Sequence, residues 1–383
     1  ASTGTAPDVV LAYHDSADTA PGATGPRLPQ RWIRPEIQAL SAYHVADPGK
    51  LIKLDAMENP YRWPSDLVEQ WLDRLRALEL NRYPDPTARD LSDKLKQVMH
   101  VPEGMQVVLG NGSDELIQML SLAVAAADRV ILSPEPTFVM YRMIAEVTGL
   151  HYLAVPLGDD FSLDTDVMLS AIEQTQPAIV FLAYPNNPTG NLFDAATVEH
   201  VIQSSPGLVV LDEAYAPFTD ASFMSRLGEF PNLLVMRTVS KMGLAGLRLG
   251  LLAGPAEWLG EIDKTRLPYN INVLTQASVL FALQHKGMLD AQAQQIRVDR
   301  AQLLQALRGL DGIRPYASEA NFILFKTQHG EADRVFAAVK EQGVLIKNLS
   351  SSGGRLRDCL RVTVGKKEEN QAFLEALQNA LNT

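Results

Sequence analysis

Thr238-Val239-Ser240-Lys241-Met242-Gly243-Leu244-Ala245-Gly246-Leu247-Arg248 is the stretch on which the reading of this chain turns, together with Leu208-Val209-Val210-Leu211-Asp212-Glu213-Ala214-Tyr215. Each puts one charged residue, Lys241 or Asp212, at the end of an apolar run of strand character. A charge there is costly unless it has a partner. A buried amine can form a Schiff base with an aldehyde. A buried carboxylate can hold a pyridine nitrogen protonated. Together the two residues describe one half of a pyridoxal phosphate site.

Outward from these segments, short continuous apolar runs recur at 106–109, 129–132, 151–155, 178–183, 208–211, 233–236 and 249–253. Such runs mark strands buried on both faces, and helical stretches such as 195–203 separate several of them. The fold class expected is α/β, a large domain with a mostly parallel sheet flanked by helices. After Pro268-Tyr269-Asn270 the character changes. Long helices at 273–285 and 288–310 precede strands at 321–325, 343–346 and 359–362, which read as a smaller α+β domain.

The 383 residues are 46% hydrophobic and 21% charged, as in an ordinary globular protein. A net charge of -11 argues against a nucleic-acid surface, which calls for a basic face. Cys359 is the only cysteine, which excludes an intrachain disulfide and a cysteine-based metal cluster. No metal is expected, and the cysteine usage fits a reducing cytoplasm. No apolar run approaches a membrane span. Residues 1–30, rich in Ala, Thr, Gly, Pro and Asp, read as a flexible leader, neither secretory signal nor transit peptide.

Other polar groups fall where strands end, which is where ligands gather in open α/β sheets. Gly110-Asn111-Gly112-Ser113-Asp114-Glu115 leads a strand into a helix, suited to a phosphate or to a plain helix cap. Tyr184-Pro185-Asn186-Asn187-Pro188-Thr189-Gly190 reads as a tight turn, or as a loop aiming the Asn187 amide at a ring. Ser240 and Arg248 supply a hydroxyl and a guanidinium for a phosphate. Arg361 is either a structural ion-pair partner or a bidentate clamp on a carboxylate.

This ordered set resembles the fold type I pyridoxal-phosphate-dependent aminotransferases of class I/II. Within them it is most similar to the histidinol-phosphate subfamily. The resemblance runs from about Arg31 onward. It is carried by Asn186-Asn187-Pro188-Thr189-Gly190, Asp212-Glu213-Ala214-Tyr215, Arg237-Thr238-Val239-Ser240-Lys241, Gly246-Leu247-Arg248-Leu249-Gly250 and Leu360-Arg361-Val362-Thr363-Val364-Gly365. Ala42-Tyr43 and Glu58-Asn59-Pro60-Tyr61 point to the subfamily.

The resemblance implies pyridoxal 5'-phosphate as cofactor and transamination between glutamate and imidazole-acetol phosphate, giving histidinol phosphate and 2-oxoglutarate. Lys241 would bond the cofactor and move the Cα proton, and Asp212 would pair with the ring nitrogen. Tyr215 and Asn187 would bond the ring oxygen, and Phe138 would stack on the ring. Ser240, Arg248, Ser113 and Asp114 would hold the phosphate, with Tyr83 reaching the phosphate of a neighbouring subunit in a homodimer. Arg361 would clamp substrate, Tyr43, Tyr269 and Asn270 would serve its imidazole end, and Lys347 its phosphate. Residues 31–60 would form an arm contributing to the small domain and dimer, 61–272 the cofactor domain and 273–383 the small domain. Arg248 follows Lys241 by one residue fewer than the commoner family pattern.

Another aminotransferase (aromatic or aspartate-like) or a related amino-acid-phosphate decarboxylase would keep Lys241, Asp212 and Arg248. A non-catalytic protein on this fold would usually add a DNA-binding module, and no basic stretch is present. A nicotinamide enzyme would need a strand opening into Gly-x-Gly-x-x-Gly, which the chain lacks.

Overall fold

A computed structural model describes residues 29–43 and 45–382. The leader expected at 1–30 therefore lies almost wholly outside the described residues. The chain divides into two units, one ending at Ala42 and one beginning at Tyr43. The first holds a turn at Pro29–Arg31 and the four-residue helix Pro35–Gln38, which proline starts well because its missing N–H is needed by no helical partner.

In chain order the strands of the second unit are β1 (Ile52–Lys53), β2 (Gln106–Gly110), β3 (Val130–Glu135), β4 (His151–Pro156), β5 (Ile179–Ala183), β6 (Leu208–Asp212), β7 (Leu233–Thr238), β8 (Gly250–Gly254), β9 (Ile313–Pro315), β10 (Phe322–Thr327), β11 (Val344–Leu345), β12 (Lys347–Asn348) and β13 (Cys359–Thr363). Seven form one sheet in the order β2-β8-β7-β6-β5-β3-β4. Its pairings are parallel except the two made by β8, which runs against both β7 and β2. β5 and β6 are buried at every position, because helices cover both faces of the sheet.

Register then builds the site. Ala183 lies opposite Asp212, Asp212 opposite Met236, and Thr238 opposite Gly250, which faces Gly110 on its other side. The ends of β5, β6, β7 and β2 thus open onto one edge. Side-chain caps fix several of the covering helices: Asp164 accepts from the Val167 N–H and Asp194 from the Thr197 N–H, both at 3.0 Å.

The second sheet, β12-β13-β10-β9, is antiparallel throughout. Phe322, Phe325, Phe373 and Leu377 form its core beneath the helices Lys286–Arg308, Ala332–Glu341 and Lys367–Leu381. The run expected as a strand at 343–346 pairs instead with β1, in parallel, outside that sheet. The helix Val273–Gln284 packs on Ser65–Arg76 and Arg89–Val98, and its Val279, Ala282 and Leu283 join the core of the large sheet. A boundary drawn at residue 273 passes ahead of this helix rather than behind it. Its apolar residues lie on all sides, so the sequence carries no marker of the partner it chooses.

Candidate active site

A cavity of about 380 Å³ opens where these strands end. Ser113, Asp114, Phe138, Asn187, Asp212, Tyr215, Ser240, Lys241 and Arg248 all line it. Lys241 sits in a wide turn, Ser240–Leu244, closed by a Leu244 N–H to Val239 O bond of 3.2 Å. Gly243 takes φ +116° there, a conformation that favours glycine, and an added Cβ would lie 2.9 Å from Asn59 Nδ2. The Lys241 amine donates to Ala56 O at 3.4 Å and lies 5.7 Å from the centre of the Tyr215 ring. Burial, then the nearby Arg361 and Arg248 cations, push it down to about 8 against the opposing pull of Glu58 and Asp114.

Asp212, at the end of β6, is buried (4% exposed) and has no cationic partner among the described residues. Its Oδ2 accepts from the Tyr141 hydroxyl at 2.6 Å and its Oδ1 from the Ala214 N–H at 3.1 Å. Burial outweighs both bonds and raises the carboxyl to about 6. Tyr141 is held well above the usual phenol range by burial and by Asp212, so it remains a donor. It stacks on Phe181 at 4.7 Å, with Phe138 edge-on at 5.6 Å.

The opposite end of the cavity is an anion cup. The helix Gly112–Val124 starts here, and no side chain caps its first turn, so its leading N–H groups remain available. Arg248 bonds Ser240 Oγ at 3.4 Å and pairs with Asp114 at 3.5 Å. Gly112, at φ +77°, leaves the room this requires, since a Cβ would stand 2.6 Å from Arg248 Nη2. Gly250 likewise must be glycine, because its Cβ would press within 2.6 Å of the Gly112 backbone.

Arg361, on β13, is buried and has no carboxylate ion-pair partner among the described residues, and burial lowers its pKa. Its Nη1 donates to Asn187 Oδ1 at 2.5 Å and its Nη2 to Asp55 O at 3.1 Å, while Nε has no partner among the described residues. Asn187 is held in place because its neighbour Asn186 is bonded to Thr137, Pro136 and Thr189. Tyr215, raised mainly by burial, packs edge-on against Phe322 at 5.2 Å.

Six expected residues do not line the cavity: Arg361, which reaches it through Asn187, and five others. Tyr43 is exposed but close enough to act electrostatically on Tyr215 and Arg361. Lys347 is exposed on β12, opposite Arg361 in register. Tyr83 and Tyr269 stack on each other at 4.5 Å on a separate surface. Asn270 is a correction: its Nδ2 donates to Leu109 O and Glu115 Oε2, both at 3.0 Å, and its Oδ1 accepts from Arg266 at 3.4 Å. Both donor hydrogens of that amide are spent on the fold rather than on the cavity. Two supports escaped the sequence reading. One is Tyr141, whose signal would have been its position one turn after Phe138. The other is the fully buried Glu213, held by Arg237 at 2.8 Å, Ser222 and the Phe223 N–H.

Residues 49–377 match the family model for aminotransferase class I and II. The chain belongs to the class I and II aminotransferases. It is 60% identical over 348 residues to "Histidinol-phosphate aminotransferase 2" of Nitrosococcus oceani, covering 91% of this chain and 97% of that one. It is 52% identical over 361 residues to a protein of the same description from Cupriavidus pinatubonensis, covering 93% and 98%. Among solved structures, the histidinol-phosphate aminotransferase of Sinorhizobium meliloti in complex with pyridoxal-5'-phosphate superposes with a TM-score of 0.82 at 22% identity. That match covers 92% of this chain and 98% of the other. The fold is that of the fold type I pyridoxal-phosphate enzymes.

This aminotransferase is therefore a pyridoxal-phosphate enzyme acting on small molecules. The cavity fits the cofactor on its own chemistry: a buried carboxylate without a cation, an amine of lowered pKa, and a glycine-cleared cup facing an arginine. Among the described residues no cluster of metal-ligating side chains occurs, and no helix is long and apolar enough to cross a membrane.

Proposed function

We propose that this enzyme transfers an amino group between glutamate and imidazole-acetol phosphate, giving L-histidinol phosphate and 2-oxoglutarate in histidine biosynthesis. The observation that carries the chemistry is the cavity shared by the Lys241 amine, lowered to about 8, and the buried Asp212 carboxylate. The choice of substrate is supported by the two relatives at 60% and 52% identity, both described as histidinol-phosphate aminotransferases.

When bound, the cofactor supplies an aldehyde for amine exchange and a ring that accepts the electron pair left at substrate Cα. Asp212 then keeps the ring nitrogen protonated, with Tyr141 stabilising the carboxylate. Lys241 Nζ would take the Cα proton and deliver it across the connecting nitrogen to the cofactor carbon that carried the aldehyde, for which a neutral amine near working pH is required. Tyr215 and Asn187 orient the ring oxygen, and Phe138 covers the ring. Ser113, Asp114, Ser240 and Arg248 hold the phosphate. Arg361 offers its Nε, without a partner among the described residues, to the anionic end of substrate, a carboxylate in one substrate and a phosphate ester in the other. Tyr43 and Lys347 stand near enough to Arg361 to extend that contact.

The same reading makes the working unit a homodimer in the cytoplasm. Leu80, Tyr83, Leu267, Tyr269 and Leu274 are exposed apolar residues, and a patch of this kind suits a second copy. Across such an interface Tyr83 would serve the neighbour's phosphate and Tyr269 its substrate. Residues 61–272 would act as the cofactor domain and 273–383, apart from the helix Val273–Gln284, as the small domain, with 31–60 as an arm. The test is formation of glutamate from 2-oxoglutarate with histidinol phosphate, against phenylalanine and threonine phosphate as donors. A preference for either competitor would overturn the substrate. Near wild-type turnover by Lys241→Ala would overturn the chemistry.

A further inference from the structure

Three side chains close on one another directly behind the anion cup. Glu115 Oε2 accepts from the Asn111 backbone N–H at 2.6 Å and from Asn270 Nδ2 at 3.0 Å. The Asn111 side-chain amide turns away from the helix and donates to the Asn270 carbonyl at 2.6 Å, with a longer contact of 3.4 Å to Glu115. Asn270 completes the set by donating to Leu109 O in β2. The clasp thus joins the last strand residues, the turn and the first helical turn to a segment 159 positions away in sequence.

Its consequence lies in what Asn111 does not do. Asn111 occupies the N-cap of the helix Gly112–Val124, where an asparagine side chain ordinarily accepts from an N–H of the first turn. Here it makes no such bond. Held by the Asn270 main-chain carbonyl, it leaves the Ser113 and Asp114 N–H groups without a competing acceptor. Glu115 meanwhile fixes the Asn111 backbone, and so the direction in which that turn points. The turn has no slack: a Cβ on Gly110 would meet Leu116 Cγ at 2.9 Å and Glu115 Oε2 at 3.3 Å.

We propose that Glu115 and Asn270 are positioning residues for the cofactor phosphate: the Asn270 main-chain carbonyl holds the Asn111 amide away from the helix, and the Asn270 side chain, tied to Leu109 O and Glu115, fixes that carbonyl in place, so that the first N–H groups stay open to that anion. The proposal deepens the phosphate cup described above and rests on that reading. Neither residue touches the cofactor; each acts through Asn111.

The test measures the dissociation constants of pyridoxal 5'-phosphate and of pyridoxal, which lacks the phosphate, for the full chain and its variants. Asn270→Ala and Glu115→Ala should weaken pyridoxal 5'-phosphate by about tenfold, the loss of one to two hydrogen bonds, and change pyridoxal by less than about twofold. Glu115→Gln keeps an acceptor oxygen and should recover most of the loss. Equal weakening of both ligands, or no weakening of either, would overturn the proposal. If Asn270→Ala does not fold, the two Glu115 variants decide it by the same criterion. A wild-type chain that binds the two ligands equally would refute the phosphate cup itself, and the proposal with it.

Discussion

Replacing Tyr141 by Phe isolates how much of the ring chemistry depends on the charge state of Asp212. Tyr141 is fully buried and stacked at 4.7 Å and 3° on Phe181, so a phenylalanine keeps the packing and loses only the hydroxyl. That hydroxyl supplies the 2.6 Å bond to Asp212 Oδ2, leaving the Ala214 N–H as the remaining donor. A hydrogen bond to a charged group is worth about 1.5–3 kcal/mol, or about 1–2 pK units. The Asp212 carboxyl, already raised to about 6, should therefore move to about 7–8 in the cofactor-free chain. With cofactor bound, a more basic carboxylate draws the proton off the ring nitrogen, and the Cα proton transfer should slow by roughly tenfold or more. Isotope-edited infrared titration of Asp212 reads the first effect, and single-turnover absorbance with histidinol phosphate reads the second. An unmoved Asp212 together with an unchanged single-turnover rate would refute the reasoning, since the bond would then contribute nothing to the charged state.

Three further outcomes follow from the same groups. Capture of pyridoxal 5'-phosphate by the cofactor-free chain should speed up as pH rises through about 8, where Lys241 loses its proton, when followed by stopped-flow absorbance; an inflection near the ordinary lysine value would contradict this. Asp212 has its folded pKa raised from 3.8 to about 6, so the folded state holds an extra proton in that window. The stability of the cofactor-free chain should therefore fall as pH rises from about 4 to about 6, and denaturant midpoints of Asp212→Asn should lack that fall while its turnover collapses. If Tyr83 serves the neighbouring subunit, inactive Tyr83→Ala and Lys241→Ala chains, mixed and reassorted, should regain up to about a quarter of the wild-type sites; no recovery would exclude a shared site.

Much of the site was legible because of where its residues stand in the chain. Asp212 and Lys241 interrupt apolar runs, and a parallel sheet brings the ends of such runs to one edge. The register that sets Ala183 opposite Asp212 in β5 and β6 comes from the structure and not from the runs themselves. Side chains whose purpose lies across the fold were not legible. Tyr141 reaches Asp212 over 71 positions, and its place one turn after Phe138 is the one local hint that it differs from an ordinary core tyrosine. Asn270 sits in a loop rich in polar groups, so its sequence looks like that of a ligand contact. Only its neighbours Leu109 and Glu115 reveal that its amide donors serve the fold. Between Lys241 and Arg248 the chain makes the wide turn at Ser240–Leu244, with Gly243 at φ +116° and Arg248 itself at φ +47°.

Borohydride reduction of the cofactor-loaded protein, followed by peptide mass mapping, bears most directly on the central assignment. Reduction fixes the pyridoxyl group on whichever amine carries it. The label should be found on Lys241 and should vanish in Lys241→Ala. A label on another lysine, or none at all, would contradict the account.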